Sequence, residues 1–366
     1  MSHSAGSVVY YVSGHGYGHA VRSGLVMSAL LSCAPDVRIL VRSDRPSWLF
    51  PDGVRQQTVQ VDVGMVQQDS LTILVGRTLA EASAFEETRH ELATAETETL
   101  AQWCPRAIVS DIPPLAFDVA ARLGVPGIGV ANFSWDWIYR HLDPADRSNG
   151  RLVESIRKSE ANATVLLRLP LHDDMAAFPR IEDISLIARV ATRSREQVRA
   201  ELGIGAASRV ALLSFSGAEL DRIDFAALGR LASVQFVVTA ARPSHPLPAN
   251  VLVGPRDPGA YHDLLGACDV VFMKPGYGTV ADCLANRVPM IYATRPGFVE
   301  EDVLVPAMHR LGRAVPIDQA ALFSGHVESA IEAALGMTSP WQPLAVDGAE
   351  VAARRILQLA GLESQS

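Results

Sequence analysis

The segment Val8-Val9-Tyr10-Tyr11-Val12-Ser13-Gly14-His15-Gly16-Tyr17-Gly18-His19-Ala20 passes from an apolar run, through a loop with three glycines, into a stretch of helical pattern that continues to about Leu31. A short unbroken apolar run rich in β-branched and aromatic residues reads as a strand buried on both faces. Strand, glycine-rich turn and helix in that order are the first step of an α/β fold. The glycines let the chain turn sharply and approach a ligand closely, and the helix start that follows favours negative charge or a polar oxygen. His15 and His19 are candidate bases or electrostatic partners, and Gly16, Tyr17 and Gly18 are candidate acceptor-binding positions. A turn with a capping histidine is the alternative reading. The loop is not a dinucleotide fingerprint: counted from Gly14, the third glycine of that motif falls on His19. After the second strand, Asp44 is the only acid and is bracketed by Arg42 and Arg45, which disfavours NAD.

Outward from this segment the alternation continues. Strands are expected at residues 37–41, 107–110, 127–130 and 165–169, and helices at 20–31, 81–103 and 116–123, the last ended by Gly124. Residues 170–193 carry Pro170, Pro179 and several charges and read as a linker. Ser194 and Gln197 form an expected capping box. A second series follows, with strands at 210–215, 235–239, 251–253, 270–273 and 290–293 and helices between and after them. The expectation is an α/β protein of two Rossmann-like, doubly wound parallel-sheet domains, over residues 1–180 and 194–345. Ligands of such sheets bind beyond the carboxyl ends of the strands. Two of them facing across a cleft would suit a reaction between two bound molecules.

Length and composition agree. The 366 residues suit two domains, and 48% apolar with 20% charged residues excludes wholesale disorder. Thirty-two basic against 40 acidic residues leave a net charge of −8, which argues against nucleic acid or an anionic membrane as partner. A small phosphorylated ligand needs only backbone N–H groups and a cation. Cys33, Cys104, Cys268 and Cys283 fit neither a zinc site nor a disulfide framework, so a reducing, cytoplasmic setting is expected. Neither a signal peptide nor a membrane-spanning run is expected, which leaves only peripheral membrane contact open.

The second half carries the phosphate chemistry. In Lys274-Pro275-Gly276-Tyr277-Gly278-Thr279-Val280-Ala281-Asp282, a strand ends and a helix opens. Its first N–H groups can hold a diphosphate, Thr279 adds a hydroxyl, Asp282 can accept from ribose hydroxyls, and Lys274 is a possible counter-charge. Phe298, Glu300 and Glu301 follow a later strand, where carboxylates can accept sugar hydroxyls or simply complement a helix dipole. Ser216 and Gly217 end the first strand of the second half, as donor contacts or a plain turn. In the first half, Asp111 ends a strand and can orient a histidine, bind an acceptor hydroxyl or cap a helix. Asn132, Trp135 and Asp136 follow the next strand, as an aromatic and polar acceptor surface or as core. His172, Asp173 and Asp174 are read as solvated rather than as metal ligands.

These motifs together resemble the amino-terminal domain of plant-type L-arabinokinases and its stand-alone bacterial relatives. The markers are the loop Ser13–Ala20, the pair Ser110 and Asp111, the run Asn132–Asp136 and the loop Lys274–Val280. The kinase half of those fusions has no counterpart here. More distantly the layout is similar to the lipid II-forming N-acetylglucosaminyltransferase and to GT-B glycosyltransferases. That resemblance implies two Rossmann-like domains, with the nucleotide-sugar donor in the second, the acceptor mainly in the first, and a last helix near 350–362 crossing back to the first. The family's loop histidine falls on His19 and its Thr-Val-x-Glu ribose motif on Thr279 to Asp282, where Asp replaces Glu. Phe298 to Glu301 stands in place of a glutamine-rich donor loop.

The resemblance thus implies a metal-independent glycosyltransferase without a separate cofactor. It would move a sugar from a nucleotide diphosphate, a UDP-sugar first, to a hydroxyl or amine of a small acceptor, with His19 or His15 as base and Asp111 assisting. A nucleotide-sugar hydrolase and a non-catalytic sugar or nucleotide sensor are the rival readings.

Overall fold

The computed structural model describes residues 6–69, 71–143, 149–239, 244–255 and 257–363. In chain order the elements of the first half are β1 (Ser7–Val12), α1 (Gly18–Cys33), β2 (Arg38–Arg42), β3 (Arg55–Gln57), β4 (Gln67–Asp69), β5 (Thr72–Ile73), α2 (Val75–Ala101), β6 (Pro105–Asp111), α3 (Leu115–Leu123), β7 (Gly127–Ala131), α4 (Trp135–Leu142), α5 (Gly150–Glu160), β8 (Val165–Arg168) and β9 (Ile181–Asp183). The second half continues with α6 (Arg195–Glu201), β10 (Arg209–Leu213), α7 (Gly217–Leu220), α8 (Phe225–Gly229), β11 (Val234–Val238), β12 (Val251–Val253), α9 (Tyr261–Ala267), β13 (Val270–Met273), α10 (Tyr277–Asn286), β14 (Met290–Tyr292), α11 (Glu300–Leu311), β15 (Ala314–Pro316), α12 (Gln319–Phe323), α13 (Glu328–Gly336) and α14 (Gly348–Ala360).

The chain divides into two compact units. The first comprises Met1–Val66, Leu74–Ile187 and Ala345–Ser366, and the second Gln67–Ile73 with Ala188–Leu344. In the first, a parallel sheet runs β3-β2-β1-β6-β7-β8-β9. Val8 to Val12 are completely buried, because helices cover both faces of a central parallel strand. Val9, Tyr11, Leu40, Ile108, Leu115 and Val119 share one core cluster. Gly124 closes α3 in the left-handed region, at φ 66, where a side chain would be strained. The last helix, α14, packs on α1 and β6 within this unit.

The second unit has its own parallel sheet, β12-β11-β10-β13-β14-β15, around a core that includes Leu213, Phe236, Phe272 and Ile291. The capping box at its start is present: Ser194 Oγ accepts from the Gln197 N–H at 3.2 Å, and Gln197 Oε1 accepts from the Ser194 N–H at 3.2 Å.

In each sheet the strand order reverses at one point, between β1 and β6 in the first and between β10 and β13 in the second. Side chains at the carboxyl ends of those strands border the crevice where doubly wound sheets bind ligands. His19 follows β1, Asp111 ends β6, Ser216 follows β10 and Lys274 follows β13.

The linker reading of residues 170–193 needs correction. Ile181–Asp183 pairs in parallel with β8 as the edge strand of the first sheet. Residues 189–192 are bound to the second unit: the Ala191 N–H donates to Asn286 at 2.7 Å and the Thr192 N–H to Asp263 at 2.7 Å. A three-residue strand that carries two acids has too little apolar pattern to announce itself.

Candidate active site

In the first unit the short β1–α1 loop delivers His19 onto the end of β6. Nδ1 of His19 lies 2.8 Å from Oδ1 of Asp111, and both side chains are buried. One helical turn on, Arg22 donates from Nε to Oδ2 of Asp111 at 2.7 Å and also bonds Oδ1 through Nη2. Ser23 donates to Oδ2 at 2.9 Å. Burial alone would raise the Asp111 pKa. The charges of Arg22 and His19, and their hydrogen bonds, outweigh it and hold the carboxyl at about 2. A carboxylate fixed in the ionised state accepts from Nδ1–H, so in the neutral form of the ring the lone pair of a base falls on Nε2 of His19. The helix-capping reading of Asp111 is not what the structure shows, since helix α3 starts without a side-chain cap.

His15 sits on the same loop, its ring centroid 6.2 Å from that of His19. Its Nδ1 accepts from the backbone N–H of Met65 at 3.2 Å. Gly16, Tyr17 and Gly18 are exposed at the loop tip.

The three acceptor candidates after β7 are structural instead. Trp135 is 1% exposed, donates its indole N–H to Asp62 at 2.9 Å and stacks on Tyr139. It therefore offers no face to a ligand. Asn132 is buried and accepts from Arg22. Asp136 is buried and bound by Ser134 and Arg157. A tryptophan whose polar atom has a buried partner belongs to the core. Asp62, unremarked in the sequence, also accepts from the Gly14 N–H at 3.3 Å and so braces the β1–α1 loop. Burial raises its pKa, against the hydrogen bonds from Ser13 and Trp135.

In the second unit, helix α10 starts at Tyr277 behind Gly276 with no side-chain cap. Its first intrahelical bond is from the Val280 N–H to the Gly276 carbonyl, so the N–H groups of residues 277–279 have no intrahelical acceptor. A Cβ added at Gly276 would meet nothing within 4 Å. Gly278 and Thr279 are half-buried beside that opening, and Pro275 is buried with its carbonyl accepting from Arg295 at 2.7 Å. Lys274 is half-buried. Burial, then the charge of Arg295, push its pKa down to about 8 against the pull of Glu219, Glu300 and Glu301. An open helix start with an adjacent cation can hold a phosphate group.

Other donor candidates are engaged within the protein. Asp282 is 3% exposed and receives the Arg189 N–H at 2.8 Å and Arg189 Nε at 2.9 Å. Its carboxylate therefore anchors residues 189–192 rather than facing a ribose. Glu301 accepts from the backbone N–H and Nε of Arg295, at 2.9 and 2.7 Å, and stands as a buried ion pair rather than a sugar contact. Phe298 is buried under the Arg295 guanidinium, 3.9 Å from its centroid. Glu300 is buried at the start of α11. Ser216 donates from its backbone N–H and its hydroxyl to Oε2 of Glu219, ahead of the four-residue helix that starts at Gly217.

Arg22, Ser23, Asp62 and Arg189 were not singled out from sequence. For Arg22 a signal exists: it lies at i+3 from His19, hence on the same helix face, next to buried apolar positions.

Residues 6–171 match the family model described as glycosyl transferase family 1. Over 362 residues the chain is 30% identical to an L-arabinokinase of Arabidopsis thaliana, a match that covers 96% of this chain and 34% of the relative. The chain thus spans about a third of that relative's length. Solved glycosyltransferases share the fold. SnogD from Streptomyces nogalater is 18% identical with a TM-score of 0.59, over 98% of this chain and 96% of that one. A UDP-glucosyltransferase from Polygonum tinctorium, in a complex with 3,4-dichloroaniline, is 14% identical with a TM-score of 0.61, over 99% and 100%. A UGT transferase from Siraitia grosvenorii in complex with UDP is 15% identical with a TM-score of 0.56, over 97% and 99%. The fold is GT-B, the one these solved glycosyltransferases share. Among the described residues no helix is long and apolar enough to cross a membrane.

Proposed function

We propose that the chain transfers a sugar from a nucleoside diphosphate sugar, a UDP-sugar in the first instance, to a hydroxyl of a small-molecule acceptor. The observation that carries this reading is the buried contact of His19 Nδ1 with an Asp111 carboxylate held ionised. In this reading Nε2 of His19 removes the acceptor's proton as its oxygen bonds to the anomeric carbon. The bond from that carbon to the diphosphate oxygen breaks, and the nucleoside diphosphate leaves. The open start of α10 and Lys274 receive the charge that develops on it, a role that needs no metal. The UGT transferase from Siraitia grosvenorii, solved in complex with UDP, supports uridine as the first base to test. The more distant likeness to the lipid II-forming enzyme contributes the two-unit layout and no acceptor. A reducing, cytoplasmic setting belongs to the same proposal and is supported by Cys268 and Cys283, which are buried and free.

The test is release of UDP from UDP-sugars in the presence of a panel of sugars and phenols, for wild type and His19→Ala. Acceptor-dependent release that the substitution removes, with folding intact, is the expected result. Equal release by both proteins, or release indifferent to every acceptor, overturns the reading.

A further inference from the structure

Parallel pairing sets the loops that leave β1 and β2 side by side. Tyr11 lies opposite Arg42, so both loops start at the same level, at the carboxyl end of the first sheet. They meet at two points. A Cβ on Gly14 would fall 2.7 Å from Oδ1 of Asp44, so the missing side chain is what lets that carboxylate lie against the β1–α1 loop. Three residues on, the ring of Tyr17 meets that of Trp48, with centroids 5.6 Å apart and planes at 72°.

The loop after β2 is braced along its length. Gln56 Nε2 donates to the carbonyls of Ser43, at 3.1 Å, and Arg45, at 2.6 Å. Pro46 leads into a single 3₁₀ turn, Ser47–Leu49. A Cβ on Gly24 would fall 2.9 Å from the Leu49 carbonyl, so this turn lies directly on the backbone of α1. On that fixed support the two rings stay in water. Tyr17 and Trp48 are each 54% exposed, and among the described residues only Val190 joins them as an exposed large apolar side chain. Two of the three thus touch each other. Neither the Tyr17 hydroxyl nor the Trp48 indole N–H has a hydrogen-bond partner among the described residues. Single exposed apolar residues need no explanation, but a paired and braced aromatic patch does.

We propose that Tyr17 and Trp48 form an aromatic corner that stacks on the C–H face of a pyranose ring belonging to the acceptor. Size selects a small ligand. Rings that bury about 150–250 Å² when fully covered, left half exposed, offer about 200 Å² together, far below the about 800 Å² per partner of a stable protein interface. Charge disfavours an anionic membrane: Arg45 is paired with Asp44 and Arg42 with Glu96, so this loop brings no spare cation. Chemistry selects a sugar over a wholly apolar ligand. A pyranose combines an apolar C–H face for the rings with hydroxyls for the indole N–H and the phenol. Tyr17 also stands two residues before His19, on the loop that carries the candidate base. The inference rests on the glycosyl-transfer reading only for calling this sugar the acceptor; the corner and its preference for a pyranose stand without it.

The test is saturation-transfer NMR titration of the full chain with methyl β-D-galactopyranoside, methyl β-D-glucopyranoside and methyl α-D-mannopyranoside, and with D-glucitol as a polyol that has no ring. At least one pyranoside should bind, with the strongest transfer to ring C–H protons, and more tightly than glucitol. Trp48→Ala and Tyr17→Ala should each weaken it about fivefold or more, the worth of one aromatic contact, and Trp48→Phe should retain part of the affinity. Both side chains are half in water, so the folds should survive, which melting curves check; if an alanine variant does not fold, wild type and Trp48→Phe decide. No binding of any pyranoside, equal binding of glucitol, or unchanged affinity in Trp48→Ala overturns the proposal. Flotation with vesicles of phosphatidylcholine and phosphatidylglycerol adds a further arm: vesicle binding that Trp48→Ala abolishes, with the pyranosides unbound, assigns the corner to a membrane and overturns it too. Pyranoside binding at the corner in a protein that releases no UDP from any UDP-sugar fails the transfer reading alone. Acceptor-dependent UDP release from a sugar acceptor that is unchanged in Trp48→Ala fails this proposal alone.

Discussion

Arg22 holds Asp111 by both oxygens, with Nε 2.7 Å from Oδ2 and Nη2 on Oδ1, the oxygen that also faces His19. Histidine and arginine are three residues apart on α1, so one carboxylate from β6 ties the whole first helical turn to the sheet. The same ion pair keeps Asp111 ionised, and with it the orientation of the His19 ring.

Arg22→Met should therefore be costly, because it leaves a buried carboxylate with only His19 and Ser23. Breaking a buried pair in this way costs about 3–5 kcal/mol. The acid limb should move as well. The Asp111 pKa is lowered from 3.8 to about 2, so its contribution to stability is present above about pH 4 and is lost as pH falls towards 2. In Arg22→Met that loss should begin at higher pH. Urea melts from pH 3 to 7 measure both effects, and an unchanged midpoint at pH 7 would contradict the account.

Asp111→Asn keeps the shape and removes the charge. The amide can offer its own N–H groups to Nδ1 of His19, which favours the wrong tautomer for a base at Nε2. Turnover should fall by about 10²- to 10⁴-fold, in the range expected for general-base function. UDP affinity, which belongs to the other unit in this reading, should stay within a few-fold by calorimetry.

The sheets were legible because their central strands are buried on both faces and so appear as unbroken apolar runs such as Val8–Val12. His19 and Asp111 were legible because each ends or follows such a run. The chemistry around them was not. Asp282 follows a Thr-Val pair that points to ribose, yet its partner Arg189 lies 93 residues away in the chain. Trp135 suggested a stacking surface until Asp62, 73 residues distant, took its indole N–H. Which buried polar atom is satisfied by which distant partner is a property of the packed chain, and local patterns do not carry it.

Asp282→Ala separates anchoring from ribose binding. It removes the acceptor of the Arg189 N–H and guanidinium, whose side chain is 18% exposed. Partial solvent access lowers the cost below that of a fully buried pair, to about 1–3 kcal/mol. Thermal melting should show that loss while UDP affinity changes less than about threefold. A large fall in UDP affinity with an unchanged melting temperature would restore the ribose role.

Lys274 gives the donor loop a pH signature. Its pKa is pushed down to about 8, first by burial and then by Arg295, so the ammonium is lost as pH rises through that value. Between about 8 and 10.5 the unfolded chain binds more protons there than the folded one, and this group's contribution makes stability rise with pH over that window. Diphosphate binding should follow the charge in the opposite sense, weakening as pH rises from 7 to 9. Titration of UDP across that range should show the decline in wild type and a flatter profile in Lys274→Met.

Gly276→Ala isolates the opening itself. The residue precedes α10 with φ −130 and ψ 138, an extended conformation any residue adopts, and an added Cβ meets no protein atom within 4 Å. The fold should therefore tolerate alanine with a change of about 1 kcal/mol or less, set by the weaker N-cap preference. A diphosphate drawn onto the N–H groups of residues 277–279 would meet that methyl, because the close approach of ligand to backbone is what the missing Cβ permits. UDP affinity should fall at least tenfold while the melting temperature of the free protein stays within a few degrees. Intact UDP binding in this variant would move the phosphate site away from the start of α10 and leave Lys274 without its assigned partner.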